Sequence, residues 1–503
     1  MGTTPLEEPS LDTLLERRQQ LTDALSESPY DLILYLERAV VYSSLAYPDL
    51  AASDAYRALL LADEVRDEGF EYHEEAKEAL ESYSEIRPCP EVLNHGRLVE
   101  ELNLPSAEEE SDDESRCEAL ADLASVRSFQ ILAKSLLLVG CLRSALEFCE
   151  RGLAKLPHNT ELNETKASIE QAARKRLGLR DDEPVEVQDL PDRGLVRREV
   201  YPWNTYEPDR FSDESLAFLN KLLAEVAPKV EVRVSRLPVL VANDGESGTN
   251  PDSKEEHGEI PMCNQLGLFA KEPISPGEVV LDEYSLLTAN NRHKESACDA
   301  CGTELSAADV SQAVSCPECD DTIFCDETCL NAALEQYHPA VCDMDVDSIA
   351  KDPEAKDVDE SLYLLLLARL LAMAAHQGVH PLEVKEVKYI WGDFLPTPLS
   401  QTDPTLPFTF THTLQLPLHL LERMDINIYT TLPSHDQWIL NTCLAKFRGT
   451  ASARKNPRDG RPDLAAVHPL WCLANHDCDP NVTWRWEGGT QNYNLLTERA
   501  RSK

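Results

Sequence analysis

Along the first 180 residues, apolar side chains recur at three- and four-residue intervals, most plainly over 50–65, 119–139 and 145–156. That spacing predicts helices. Residues 128–157 read as a helical hairpin: a helix over 128–139, a turn at Gly140, and a second helix from Cys141 to Leu156 closed by Pro157. A weaker pair covers 30–46 and 50–65. A capped helix follows at 213–226, with Ser212 as its N-cap. The period then changes. Residues 230–234 and 237–241 cluster β-branched positions as strands do, and 267–270 and 279–281, joined through Pro276-Gly277-Glu278, read as a hairpin. Helical spacing returns at 362–375, at 418–424 behind Pro417, and at 436–447, whereas 451–463 is basic and loop-like. Val482, Trp484 and Trp486 share one face of a final strand that Gly488-Gly489 turns back.

These patterns predict an α+β multidomain chain: an all-α region over 1–180, a linker over 181–229, and a β-rich region over 230–503. A helical insertion is expected over 343–465. The acidic cluster Glu108, Glu109, Glu110, Asp112, Asp113 and Glu114 and the polar stretch 243–258 predict solvated loops, the first places a protease should cut.

Composition narrows the function. The 503 residues hold 47 basic and 90 acidic side chains, a net charge of −43, which disfavours direct nucleic-acid binding through a basic surface. The most apolar run, 362–375, spans 14 residues and contains Arg369, too short to cross a bilayer. Fifteen cysteines without an apolar leader point to a reducing compartment, so an intracellular protein, nuclear or cytoplasmic, is expected.

The cysteines then change the picture. Cys298 and Cys301, Cys316 and Cys319, Cys325 and Cys329, and His338 and Cys342 form four close pairs over 298–342. Two ligands this close in sequence grip one ion from a tight turn, and no pair completes a tetrahedron alone. Eight ligands therefore predict two structural Zn2+ sites.

The order of these pairs resembles the MYND-type zinc finger, which implies that the first and third pairs share one ion and the second and fourth the other. Residues 267–281 resemble the opening hairpin of SET domains, and Asn475-His476-Asp477-Cys478-Asp479-Pro480-Asn481 resembles their pseudoknot segment. Together the three are similar to the SET-domain lysine methyltransferases whose SET domain is interrupted by a MYND finger. The run Ala145–Pro157 (ALEFCERGLAKLP) resembles the second helix of a tetratricopeptide repeat (TPR), so the 1–180 region is expected to be TPR-like.

The resemblance implies methylation of lysine side chains in a protein substrate, histone or non-histone, with S-adenosylmethionine as the methyl donor. It implies backbone contacts to that cofactor from Leu266, Gly267 and Leu268, with Asn475 and His476 opposite. The finger and the helices would take peptide partners; no membrane contact and a monomer are expected. Departures accompany it: Gln265 replaces the first glycine of the opening motif, Asp477 replaces a serine, Phe447-Arg448-Gly449-Thr450 stands where many relatives place a cofactor-gripping asparagine, and Cys478 lacks the three further cysteines of a post-SET zinc site. For Cys478 a small core residue is the other reading. The family's channel tyrosine would lie beyond Lys503, so no catalytic residue is assigned and the chain as given is expected to be inactive. The alternative reading is a catalytically inactive MYND/TPR adaptor that binds peptide segments of partner proteins.

Overall fold

The computed structural model describes residues 9–84, 89–94, 98, 113–180, 183–197, 199–238, 262–284, 287–292, 296–305, 313–319, 321–391, 404–456, 459–487 and 490–495. The expected loop 243–258 and the acidic residues Glu108, Glu109, Glu110 and Asp112 lie outside them. The chain divides into two compact units. One comprises Met1–Tyr201 with Phe394–Ala445, the other Pro202–Asp393 with Lys446–Lys503. The segment 343–465, read from sequence as one insertion, is thus shared between them.

The first unit is helical. Leu11–Glu27, Leu32–Ser44, Pro48–Arg66 and His73–Ser84 are followed by Asp113–Val139, Leu142–Lys155 and Thr160–Leu177. Asp31 caps the second of these by accepting from the Ile33 and Leu34 amides, and Pro48 opens the third at a position where no amide is needed. Gly140 turns the predicted hairpin at φ 99°, a conformation that favours glycine, but its first helix starts at Asp113 rather than 128. The core holds a buried ion cluster. Arg38, fully buried, donates through Nε and one terminal nitrogen to Asp54 at 2.7 and 2.8 Å, and its other terminal nitrogen pairs with Asp436 at 3.2 Å. A two-pronged guanidinium answers both carboxylates, and each acid is held by the same cation.

The second unit carries short sheets around one apolar cluster. Val230–Pro238 pairs antiparallel with Met262–Ala270 along its whole length. Val279–Tyr284, Thr490–Leu495 and Val482–Glu487 form a three-stranded sheet with Thr490–Leu495 in the middle, and Thr288–Asn290, Pro462–Ala466 and Ser452–Lys455 form another. The expected hairpin between 267–270 and 279–281 is therefore absent: each strand takes a different and more distant partner. The expected loop 451–463 contains a strand and the start of a second. Helix Asp213–Val226, capped by Ser212, buries Leu219 and Leu223 against Val230, Val232, Leu266, Leu281, Leu470 and Leu473. Burying side chains of this size is worth about 1.5–3 kcal/mol each. The former linker is anchored too, with Tyr206 stacked on His380 at 3.8 Å and Trp391 Nε1 donating to the Pro208 carbonyl.

The apolar run 362–375 lies within helix Val358–Gln377, which ends at Gly378 in the left-handed region. Among the described residues no helix is long and apolar enough to cross a membrane.

Candidate metal centres and cofactor site

The eight paired residues gather into two clusters, and they combine as the family resemblance implies. Cys298, Cys301, Cys325 and Cys329 have ligand atoms within 4.8 Å of one another, and so do Cys316, Cys319, His338 and Cys342. Their separations test the fit to zinc. Four ligands at a Zn–S distance near ~2.3 Å stand about 3.8 Å apart along a tetrahedron's edge. The Cys301–Cys325 and Cys316–Cys342 sulfurs are each 3.8 Å apart, Cys325 and Cys329 3.4 Å, and Cys319 Sγ lies 3.6 Å from His338 Nε2. One all-cysteine set and one set of three cysteines and a histidine, spaced in this way, fit two closed zinc sites.

Local structure aims the ligands. The Cys298–Cys301 turn closes with the Gly302 amide donating to the Cys298 carbonyl, and Gly302 has φ 70°. A Cβ there would also press on the Leu464 side chain. Asp326 caps helix Glu327–Gln336 by accepting from the Cys329 amide at 2.9 Å, which fixes Cys329 in the first helical turn. Phe324, fully buried, meets His338 edge-on at 5.9 Å.

Groups that the spacing did not reveal hold the finger within its unit. The Tyr284 hydroxyl lies 3.5 Å from Cys329 Sγ. Arg369, from the long apolar helix, donates to Asp299 Oδ2 at 2.9 Å, stands 3.6 Å above the Tyr337 ring, and shares Asp299 with the Tyr337 hydroxyl at 2.7 Å. Arg369 holds the Asp299 carboxyl below its ordinary range even though burial pushes the other way. The available signal was a single charge inside an apolar helical run. A cavity of about 80 Å3 borders Asp299, Tyr337, Lys351 and Arg369. It has room for a few waters and is too small for a nucleoside cofactor.

The second site lies where strand Met262–Ala270 meets the segment after the turn Trp471–Leu473. Asn475 Nδ2 donates to the Leu266 carbonyl at 3.2 Å. Gly267 sits beneath that contact, and a Cβ built on it would collide with Asn475 Nδ2. Leu266 is buried in the core, and Leu268 packs against the same cluster. His476 is exposed, with its Nε2 3.3 Å from Cys478 Sγ. The structure thus joins Leu266 and Gly267 to Asn475, and gives His476 a neighbour on its own segment. Asp477 accepts from the Asp479 amide at 2.9 Å, so the residue that departs from the serine pattern forms an Asx turn. Cys478 is exposed and belongs to neither cluster, so the small-core reading does not hold.

One further residue borders this site. Glu283, 5% exposed on strand Val279–Tyr284, accepts from the Leu470 amide at 3.0 Å and the Trp471 amide at 2.8 Å. Burial raises its carboxyl to about 7, with the two amide bonds opposing the rise.

The family model of the SET domain matches residues 265–500, which supports a SET-domain protein. Proteins with this domain are typically protein lysine methyltransferases that use S-adenosylmethionine. A search of curated proteins found no match.

Proposed function

We propose that the chain is a protein-lysine N-methyltransferase of the SET–MYND type that takes its methyl group from S-adenosylmethionine. The observation that carries this reading is the bond from Asn475 to the Leu266 carbonyl across Gly267, which joins two segments 209 residues apart inside the matched region. An exposed carboxamide held over a glycine in the strand suits recognition of a ligand by backbone and amide groups. S-adenosylmethionine, when bound, supplies a methyl group on a sulfonium sulfur. The chain's own part is to hold that ligand between the 266–268 backbone and Asn475, to exclude water, and to present a lysine amine in its neutral form. A partly desolvated amine loses its proton more readily, which is the activation that methyl transfer needs.

The zinc clusters are assigned a structural role, since each is closed by four protein ligands. The helix pairs Leu32–Ser44 with Pro48–Arg66, and Asp113–Val139 with Leu142–Lys155, support a TPR-like first unit that binds extended peptides. A net charge of −43 draws basic partners through its long-range field, so lysine-rich segments such as histone tails are the proposed substrates, and the proposed compartment is intracellular.

Calorimetry with S-adenosylmethionine, together with transfer of labelled methyl groups to core histones and to a cell lysate, tests the reading. Saturable binding is the expected result for this chain, with transfer to a protein lysine by a chain extended through the family's channel-tyrosine segment. Absence of both overturns it in favour of the adaptor.

A further inference from the structure

We propose that Glu283 is the positioning residue of the candidate cofactor site: its carboxylate grips the consecutive amides of Leu470 and Trp471 and so sets the turn that carries Asn475 to the Leu266 carbonyl. The inference rests on the cofactor reading of Asn475 given above.

The geometry of the grip is specific. Each Glu283 oxygen takes one amide, Oε1 that of Leu470 and Oε2 that of Trp471, at the point where the chain enters the short turn Trp471–Leu473. That turn closes on itself, with the Leu473 amide bonded to the Leu470 carbonyl and the Ala474 amide to the Trp471 carbonyl, each at 3.2 Å. Leu470 and Leu473 point into the same core as Leu266 and Leu281. Every residue from 470 to 474 is thus hydrogen-bonded or packed, and Asn475 is the next one. A displacement of the Trp471 amide is passed on to Asn475.

The alternative is an acid tolerated by chance. On this strand Leu281 and Glu283 face the interior, while Asp282 and Tyr284 face out. A carboxylate buried without a counter-ion is costly, and a leucine at that position would avoid the cost. Among the described residues Glu283 pairs with no lysine, arginine or histidine. Helix Asp213–Val226 packs on the same core, yet its charged residues Asp213, Glu214, Lys221 and Glu225 are exposed, and strand Met262–Ala270 contains no charged residue. The titratable group beside it is Cys472, whose thiol is pushed up to about 12 by burial first and by Glu283 second, and so stays neutral. Among the described residues, two amides are the whole of Glu283's hydrogen-bonding compensation. An acid kept under those terms is explained by what it holds.

Ionisation matters to the grip. A carboxylate offers both oxygens as acceptors, whereas a protonated carboxyl places a hydrogen on one of them. With the group raised to about 7, the grip is complete above neutral pH and loosens as pH falls through it.

The test uses the full chain with zinc present and compares wild type with Glu283→Gln, which keeps shape but replaces one acceptor by a donor. Hydrogen exchange of peptides spanning 468–476, corrected for intrinsic rates, reads the grip without any ligand. Calorimetry with S-adenosylmethionine from pH 6 to 8.5 reads its consequence. Exchange in Glu283→Gln should quicken about tenfold at pH 8, as for a lost buried hydrogen bond. Wild-type affinity should fall as pH falls through about 7, while the variant binds about tenfold more weakly at pH 8 and loses that pH dependence. Unchanged exchange and an unchanged pH profile in Glu283→Gln overturn the proposal. So does a variant that merely melts lower, with affinity and pH profile as in wild type. If wild type binds no S-adenosylmethionine at any pH, the methyltransferase reading fails, and the exchange result alone decides whether Glu283 holds the turn.

Discussion

Gly267→Ala isolates the contact on which the functional reading depends. The added Cβ would collide with Asn475 Nδ2, lie 3.2 Å from the Phe269 ring and stand 3.6 Å from Ser235 Oγ. The Ser235 distance is ordinary contact and the Phe269 ring must give by a few tenths of an ångström, while the carboxamide must move outright, and its 3.2 Å bond to the Leu266 carbonyl is lost. A hydrogen bond of this kind contributes about 0.5–1.5 kcal/mol net. Replacing a strand glycine by alanine returns about 0.4–1 kcal/mol, because the unfolded chain has less freedom to lose, and Gly267 is not among the positive-φ glycines that would forbid the change. The two effects nearly cancel in stability, so the urea midpoint should move by less than about 1 kcal/mol equivalent. Cofactor binding receives no such compensation. It loses a positioned amide to a charged ligand, a cost of about 1.5–3 kcal/mol, or roughly 10- to 150-fold in Kd.

Calorimetry with S-adenosylmethionine on Gly267→Ala, Asn475→Ala and the double variant measures this. Once Asn475 is alanine the collision with its carboxamide is gone, so the double variant should bind like Asn475→Ala alone. Wild-type affinity in Gly267→Ala would refute the reasoning. Simple additivity in the double variant would show that the methyl acts on something other than Asn475.

Two further outcomes follow from the clusters. Cys316→Ser should lower bound zinc from two ions per chain to one by metal analysis, because three ligands do not close the second site and metal affinity is part of the folding free energy. Arg38→Ala should destabilise the first unit by up to about 3–5 kcal/mol in chemical denaturation, since Asp54 and Asp436 would lose the cation that bonds them both and keep only the longer-range attraction of Arg57 and Arg18; a loss below about 1 kcal/mol would mean that those two cations or water suffice.

What could be read from the chain was what neighbours in sequence decide. Two cysteines close in sequence already share a turn, so ligand pairs declare themselves, and Ser212 caps its helix as expected because a cap reaches only three residues. Strand partners are set by distant residues. Met262–Ala270 pairs with Val230–Pro238, and Val279–Tyr284 pairs with Thr490–Leu495 about 200 residues away, although a Pro-Gly turn between 270 and 279 suggested a hairpin. Ser452–Lys455 was hidden by its polar character, with alternate half-buried positions, and Pro462–Ala466 by an Asp-Leu-Ala-Ala composition that local propensity does not favour in strands. Burial in the sheet overrides that propensity.

The groups that couple the sites were illegible for a related reason. Arg369 was visible as a charge in an apolar run, whereas Glu283 lay beyond the predicted strand 279–281 and drew no notice; a charge discloses its purpose only through its partner. For Arg369 the partners are Asp299 and Tyr337, which immediately follow or precede the candidate zinc ligands Cys298 and His338. For Glu283 they are backbone amides, which carry no sequence signature at all. Next to Glu283 on the same strand, Tyr284 reaches Cys329 of the first cluster. Two adjacent residues of one strand, facing opposite sides, therefore serve two sites: one steadies a metal ligand, the other the turn before Asn475. A strand bends as a unit, so loosening the four-cysteine cluster has a direct route to Glu283 and from there to Asn475. Among the described residues the second cluster has no such direct contact with the strand; it meets the first cluster and the long helix through Tyr337 and Asp299.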